Sequence, residues 1–196
     1  KRIAYAASFG TEDWPFTITQ TKKCKRLLRL FTSISVREDI AVDMCRQYFE
    51  VDALHVLDPT LLLSAEEYLS LIDLSLTQDH KEEVMSYILD QDTTKKQIVN
   101  TLAKALNYKV FDLTLTGFNK DSKLESTPPV ETWLKGFVNA KYIITDSFHG
   151  TIFSILFNKP FIAIGNSRRG LSRFKSLLSI FSLEDRLIID FENVES

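Results

Sequence analysis

The chain has 196 residues, of which 44% are hydrophobic and 26% charged, and its formal net charge at pH 7 is -2. This length allows one large or two small globular lobes, and the near-neutral charge excludes a general attraction to nucleic acid or an anionic membrane. Charges or prolines break every apolar run well before the roughly 20 residues of a membrane span, and the beginning lacks a signal-peptide pattern. The composition therefore predicts a cytoplasmic protein without a transmembrane segment.

Short apolar or β-branched runs alternate with segments of helical periodicity along the whole chain. The predicted strands are RIAYAAS, SISV, LHVLD, SYILD, KVFDLT, KYIITDS, FIAIG and RLIID. The predicted helices between them are KKCKRLLRLF, EDIAVDMCRQYF, TTKKQIVNTLAKAL, PPVETWLKGFVNA, GTIFSILFN and LSRFKSLLSIF. Strands joined by helical crossovers run mostly parallel, so the pattern predicts an α/β fold with Rossmann-like parallel sheets.

A charged segment, SAEEYLSLIDLSLTQDHKEEVMS, interrupts this alternation and begins with a capping-box pattern from Ser64 to Glu67. We place a lobe boundary there, with residues 1–80 as the C-terminal half of a first α/β lobe and 81–196 as a second lobe. Because only three strands precede the boundary, the first lobe is predicted to be incomplete. The two cysteines, Cys24 and Cys45, lie on separate predicted helices and are expected to be reduced.

The motif DSFHG follows a predicted strand and precedes a predicted helix. Asp146, Ser147 and His149 are expected on the turn, with the amides of Gly150 and Thr151 opening the helix. Free amides and the positive end of a helix dipole attract anions, and an imidazole exchanges protons near neutral pH. The alternative is that Asp146 and Ser147 only cap the helix and that the imidazole makes a structural hydrogen bond.

Arginines follow two other predicted strands. Arg168, Arg169 and Arg173 surround Gly170 after FIAI, and Arg37 precedes two acids in SVRED. Guanidinium groups match the paired oxygens of phosphate and carboxylate. The alternatives are a solvated helix start for the first group and an exposed ion pair at a helix cap for Arg37.

Four motifs, AASFG, ISVRED, LDPTLLL and ITDSFHGTIFSILFNKPFIAI, together resemble the polysaccharide pyruvyl transferase family in order and spacing. The segment SRRGLSRFKSLLSIFSLEDRLI resembles the closing segment of that family. The resemblance implies a two-lobed fold similar to the GT-B glycosyltransferases, with the active cleft between the lobes. It also implies transfer of the enolpyruvyl unit of phosphoenolpyruvate to a sugar of a cell-surface polysaccharide or its precursor, which leaves a pyruvate ketal and releases phosphate.

The resemblance also implies roles for individual residues. His149 matches the family's histidine and would be the general acid and base, while Arg37 would bind an anionic group of the donor. Ser147 stands where some relatives have an arginine, so the second anion is assigned to Arg168, Arg169 or Arg173 with the Gly150 and Thr151 amides. Phosphoenolpyruvate and a glycan or lipid-linked sugar are the expected partners, with no metal or cofactor, and the cytoplasmic protein could attach to the inner face of the membrane.

Other readings stay open. His55 and His80 are predicted to be structural or merely exposed, and Trp14 and Trp133 to be core or lobe-edge residues, although Trp14 could stack on a sugar. A nucleotide-sugar glycosyltransferase would need a carboxylate for the ribose hydroxyls, with Asp112 and Asp190 as candidates. A non-catalytic sugar-binding subunit is the third possibility.

Overall fold

A computed structural model describes residues 1–72, 83–113, 128–165 and 170–189. The chain forms two compact units. The first unit contains Lys1–Leu62 and Gly165–Leu187, and the second contains Leu63–Ile164 and Ile188–Ser196. This division differs from the boundary predicted near residue 80, because the chain enters the second unit earlier and returns to the first near its end.

The first unit is built on a parallel sheet in the order β1-β2-β3. Its strands are β1 (Ile3–Ala7), β2 (Ser33–Val36) and β3 (Leu54–His55). Its helices are α1 (Ile18–Leu28), α2 (Asp39–Met44), which continues as a π-helical turn over Cys45–Phe49, and α7 (Leu171–Ile180). The core of this unit consists of Ile34, Val36, Ala41, Cys45, Phe49 and Ala53. As predicted, Cys24 and Cys45 are free thiols on separate helical segments.

Polar contacts explain why α7 belongs to the first unit. The amide of Gly170 donates to the carbonyl oxygen of Gly10 (3.2 Å). The hydroxyl of Ser176 accepts from the amide of Asp39 (3.0 Å) and lies 3.0 Å from His55 Nε2. These partners are more than 100 residues away from α7 along the chain, so a local sequence pattern contains no information about them.

The second unit is built on a sheet in the order β5-β4-β6-β7-β8, with parallel pairing between β4 and β5, β4 and β6, and β6 and β7. Its strands are β4 (Glu83–Tyr87), β5 (Lys109–Asp112), β6 (Tyr142–Thr145), β7 (Phe161–Ile164) and β8 (Leu187–Ile188), where the chain crosses between the units. Its helices are α3 (Ala65–Leu69), α4 (Thr93–Leu106), α5 (Val130–Asn139) and α6 (Phe148–Leu156). The predicted α/β class with parallel sheets is therefore confirmed.

The order of the strands contains a topological switch point between β4 and β6. From β4 the chain passes through α4 to β5 on one side, and it then returns to β6 on the other side of β4. Ligands of open parallel sheets bind at such a switch point, beyond the carboxyl ends of the two central strands. In this unit those ends are Tyr87 of β4 and Thr145 of β6.

Most predicted elements lie where the periodicity placed them, with several shifts. Helix α1 begins at Ile18, four residues before the predicted start, and strand β3 ends at His55, three residues before the end of the predicted LHVLD strand. Strand β4 ends at Tyr87, three residues before the end of the predicted SYILD strand. Helix α6 begins at Phe148, two residues before the predicted start, because Ser147 is the residue that caps it. His149 is therefore in the first helical turn and not on the preceding loop. None of the helices in the described ranges is long and apolar enough to cross a membrane.

Candidate functional site

Three of the motifs singled out in the sequence meet at one edge of the first unit. Residues 8–10 follow β1, Arg37 and Glu38 follow β2, and Asp58 follows β3. The three strands are parallel, so their carboxyl ends lie side by side. The sheet thus brings SFG, VRE and LDP together, although they are far apart in sequence.

Arg37 forms an ion pair with Asp58, whose side chain is only 3% exposed. Burial raises the pKa of the Asp58 carboxyl, but hydrogen bonds from Thr60 and the neighbouring Arg37 charge outweigh burial, so the pKa lies below its ordinary value. The amide of Thr60 donates to Asp58 Oδ1 over 2.9 Å. Asp58 is therefore a carboxylate that orients the guanidinium. The exposed pair between Arg37 and its own following acids, considered as an alternative, does not form in this arrangement.

Glu38 is a buried acid, with 1% of its surface exposed. Its Oε1 accepts from the Ser8 hydroxyl and from the Gly10 amide (3.3 Å), so it holds the SFG loop. Its Oε2 is buried without a hydrogen-bond partner among the described residues. Sequence reasoning missed this residue because an acid after a strand resembles an exposed helix cap.

Of the three clustered arginines, Arg173 lies among the described residues, while Arg168 and Arg169 lie outside them. Arg173 is in the first turn of α7, and its guanidinium folds back over Gly170, where an added Cβ would collide with it. Gly170 has a φ of 73°, a left-handed conformation that favours glycine. Arg173 belongs to the first unit, as Arg37 does.

The DSFHG turn lies at the switch point of the second unit. Thr145 Oγ1 accepts from the Ser147 amide (3.0 Å) and donates to the Tyr87 carbonyl oxygen (2.8 Å), which ties the turn to β4. The Asp146 carboxylate is buried, and it holds the loop after β4 and not its own turn. It accepts from the amides of Leu89 (2.7 Å) and Asp90 (3.0 Å) and from Lys95 Nζ (2.8 Å).

The amides expected to hold an anion have partners inside the turn. Ser147 Oγ accepts from the Gly150 amide (3.2 Å), and the Ser147 carbonyl oxygen accepts from the Thr151 amide (2.9 Å). Ser147, Gly150 and Thr151 are all buried. A Cβ on Gly150 would collide with Thr145 Oγ1, so this glycine allows close packing of α6 on β6. The capping alternative therefore describes these two amides better than the open anion site does.

His149 differs from its buried neighbours because its side chain is exposed. It is the second residue of α6, and its ring lies edge-on to Phe148 with 5.5 Å between the ring centres. The fold therefore presents a proton-exchanging group at the carboxyl edge of the sheet, on a helix turn whose base is fixed by hydrogen bonds. Ser147, His149, Gly150 and Thr151 all belong to the second unit. That they share one cleft with the arginines of the first unit stays a prediction.

Comparison with known proteins agrees with these motifs. The sequence model of polysaccharide pyruvyl transferases matches residues 1–168. The chain belongs to the polysaccharide pyruvyl transferase family. It is therefore an enzyme that transfers pyruvyl groups to polysaccharides. No curated protein matches the chain.

The matched range of this pyruvyl transferase contains the residues that follow the strands at the carboxyl ends of both sheets. It includes SFG, VRE, LDP and DSFHG, and it ends at Arg168. Arg169 and Arg173, and most of the segment that resembles the family's end, lie beyond the match. Among the described residues, no cluster of His, Cys, Asp and Glu could hold a metal ion.

The other histidine and the tryptophans considered in the sequence contact neighbouring side chains within the residues that the structure describes. His55 is hydrogen-bonded to Ser176. Trp14 stacks on Tyr48, with 4.1 Å between the ring centres, and donates from Nε1 to Thr21 Oγ1 (3.0 Å). Trp133 is partly buried and packs edge-on against Tyr87 and Phe153. His80 and Asp190 lie outside the described residues.

Asp112, the possible ribose ligand, lines a cavity of about 190 Å³ between β4, α4 and β5. The other lining residues are Ser86, Ile88, Gln91, Lys96, Val99, Asn100 and Val110. This cavity is the observation that keeps a nucleotide-sugar donor as an alternative to be tested.

Proposed function

We propose that this pyruvyl transferase takes the pyruvyl unit from phosphoenolpyruvate and attaches it to two hydroxyls of one sugar. The acceptor is a cell-surface polysaccharide or its lipid-linked precursor, the product is a ketal, and phosphate is released. The observation that carries the proposal is the exposed imidazole of His149 on a fixed turn at the switch point of the second unit. Family membership supports the transfer of a pyruvyl group in general.

The chemistry needs one group that can both give and take a proton. A proton is first added to the methylene carbon of the donor, which leaves an oxocarbenium-like carbon. One sugar hydroxyl attacks this carbon and loses its proton, and the second hydroxyl then displaces phosphate, which leaves with the second proton. One imidazole can donate in the first step and be reprotonated by the attacking hydroxyl. We assign both transfers to His149.

The donor carries a carboxylate and a phosphate, so the site must neutralise two anionic groups. We assign them to arginines, namely Arg37, Arg168, Arg169 and Arg173. The ion pair with Asp58 orients Arg37 but also offsets its charge, so we propose that the other arginines contribute most of the attraction. Ser147, Gly150 and Thr151 then support the site through capping and packing.

We also place the reaction in the cytoplasm, with the lipid-linked acceptor reached at the inner face of the membrane. No cofactor is required, because the donor itself carries the activated group.

His149→Ala tests the catalytic role. The variant should keep its melting temperature, because an exposed side chain contributes little packing, and it should lose turnover by ~10²–10⁴-fold. Turnover is measured as phosphate released from phosphoenolpyruvate in the presence of acceptor. The control is Lys104→Ala, which replaces an exposed side chain near the C-terminal end of α4. It should leave turnover unchanged. Unchanged phosphate release from the histidine variant would end the assignment.

A thermal-shift panel tests the donor. Phosphoenolpyruvate should raise the melting temperature, whereas UDP-sugars and free sugars without a donor should raise it less. A larger shift with a UDP-sugar, abolished by Asp112→Asn, would favour the nucleotide-sugar glycosyltransferase. Stabilisation by free sugars alone would favour the non-catalytic sugar-binding subunit.

A further inference from the structure

We propose that Lys95 and Asp146 form a positioning pair for pyruvyl transfer, which sets where the turn bearing His149 lies. The inference rests on the proposed function of His149. It assigns a role to Lys95, which no sequence motif singled out. Both side chains are almost fully buried, with exposures of 7% for Lys95 and 4% for Asp146.

The pair is the centre of a network that joins three segments of the second unit. Lys95 Nζ donates to Asp146 Oδ2 (2.8 Å) and to the carbonyl oxygen of Asp90 (2.9 Å). The Asp146 carboxylate accepts in addition from the amides of Leu89 and Asp90. The start of α4, the loop after β4 and the end of β6 are therefore tied to one another at the switch point.

The position of Lys95 is unfavourable without an acidic partner, and Asp146 lies closer to its Nζ (2.8 Å) than Asp92 does (3.8 Å). Lys95 is the third residue of α4, where the positive end of the helix dipole disfavours a cation. Burial of its charge adds a desolvation cost, which a buried ion pair often does no more than offset. A gain in stability is therefore a poor explanation for the presence of this ion pair. A better explanation is that the pair holds the three segments in one relative position.

The geometry that the pair fixes is that of the His149 turn. Asp146 directly precedes Ser147, the residue that caps α6. On its other side, Thr145 Oγ1 holds the Tyr87 carbonyl oxygen. The turn is thus attached to β4 and its loop at two successive residues, immediately before the helix that presents the imidazole. A displacement of about 1 Å of a catalytic group can cost on the order of 10²-fold in rate.

The test replaces the pair without leaving a lone buried charge. Lys95→Met combined with Asp146→Leu removes both charges at similar volume, a change that is often close to neutral for stability. Lys95→Gln combined with Asp146→Asn removes the charges but keeps groups that can hydrogen-bond. We expect the apolar double variant to melt near the wild-type temperature and to lose ~10–10²-fold in kcat, with little change in the KM for phosphoenolpyruvate. The amide double variant should recover most of that loss.

The matched control is Lys159→Met. Lys159 is a half-buried lysine of the second unit, and it donates to the carbonyl oxygens of Val138 and Ala140 (3.1 Å for the latter). It immediately precedes Pro160 and β7, so it lies at the amino edge of the sheet, opposite the turn. This variant should lower the melting temperature and leave kcat unchanged.

A readout independent of turnover separates this inference from the proposed function. In the apolar double variant, the ring resonances of His149 and the amide resonance of Gly150 should shift, whereas Lys159→Met should leave them in place. If His149→Ala retains turnover, the proposed function fails, and these resonances still test the positioning. If the apolar double variant does not fold, Lys95→Gln alone is used, and it should shift the same resonances with a smaller loss of kcat. Unchanged kcat together with unchanged His149 resonances in a folded variant would overturn the inference.

Discussion

The buried carboxylate of Asp58 is paired with Arg37, and the contribution of this pair to stability should depend on pH. Thr60 and Arg37 hold the pKa of Asp58 below the ordinary value in spite of burial. A carboxyl group with a lowered pKa stabilises the fold only while it is charged. The contribution is therefore complete above the unfolded pKa of about 4, and it disappears as the pH falls through the lower folded value.

Asp58→Asn should accordingly destabilise the protein most at neutral pH. Removal of one partner of a buried ion pair costs on the order of 3 kcal/mol. The difference between the two proteins should be constant above about pH 5 and should shrink below about pH 4. Urea unfolding between pH 3 and pH 7 measures this difference.

The control for this prediction is Asp43→Asn. Asp43 is 79% exposed and lies 3.9 Å from Arg46, so its loss should cost well under about 1 kcal/mol at every pH. A difference between wild type and Asp58→Asn that does not change with pH would show that Asp58 contributes by packing and not by charge.

At the scale of elements, the contact between β6 and α6 decides how the turn before His149 is built. Gly150 is buried against Thr145, whose hydroxyl is held by Tyr87 and Ser147. Alanine normally stabilises a helix interior by roughly 0.5–1 kcal/mol relative to glycine. Here the added Cβ would meet an oxygen that has two hydrogen bonds and cannot move away without breaking them. Replacement of Gly150 by alanine should therefore lower the stability of the protein instead of raising it.

Gly150→Ala should destabilise the protein by about 1–2 kcal/mol, since overpacking of a core typically costs about 1–3 kcal/mol. Gly136→Ala in α5 is the matched comparison, because its added Cβ would meet the ends of the Leu113 and Met85 side chains, at 2.9 Å and 3.2 Å. Such ends can rotate, so the second variant should lose less stability. Equal melting temperatures for the two variants would contradict the fixed position of Thr145.

At the scale of the whole molecule, the first unit is discontinuous, with α7 returning to a sheet built from residues 1–62. The hydrogen bonds from Ser176 to Asp39 and His55, and from Gly170 to Gly10, connect the two parts. The buried apolar side chains of α7, Phe174, Leu177 and Leu178, belong to the same unit. The first unit therefore depends on residues that follow almost the whole second unit in sequence.

A chain that ends at Ile164 should lose structure unevenly. Amide protons of β2 should exchange faster with solvent, because their unit has lost α7, while those of β6 should stay protected between β4 and β7. Hydrogen exchange of the truncated and complete chains measures both strands in one experiment. Equal loss of protection in β2 and β6 would show that the two units fold as one.

The sequence by itself determined the α/β class, the approximate strands and the family. Periodicity of apolar residues is a local property, so the pattern from Thr93 to Leu106 predicts α4 with its observed bounds. The DSFHG motif marks the switch-point edge for the same reason, because a strand, a polar turn and a helix follow one another directly in sequence. The start of α6 was misjudged by two residues, since it depends on which hydroxyl caps the helix.

Only the tertiary structure decided which charges meet and where the last helix packs. Arg37 pairs with Asp58 across 21 residues, and Lys95 with Asp146 across 51. Each acid has many possible partners in the sequence. Which partner it meets depends on which strands lie next to each other in the sheet, because their ends then lie side by side. The buried position of Glu38 and the return of α7 to the first unit have the same origin. They depend on packing between distant segments, which the local periodicity of the chain does not encode.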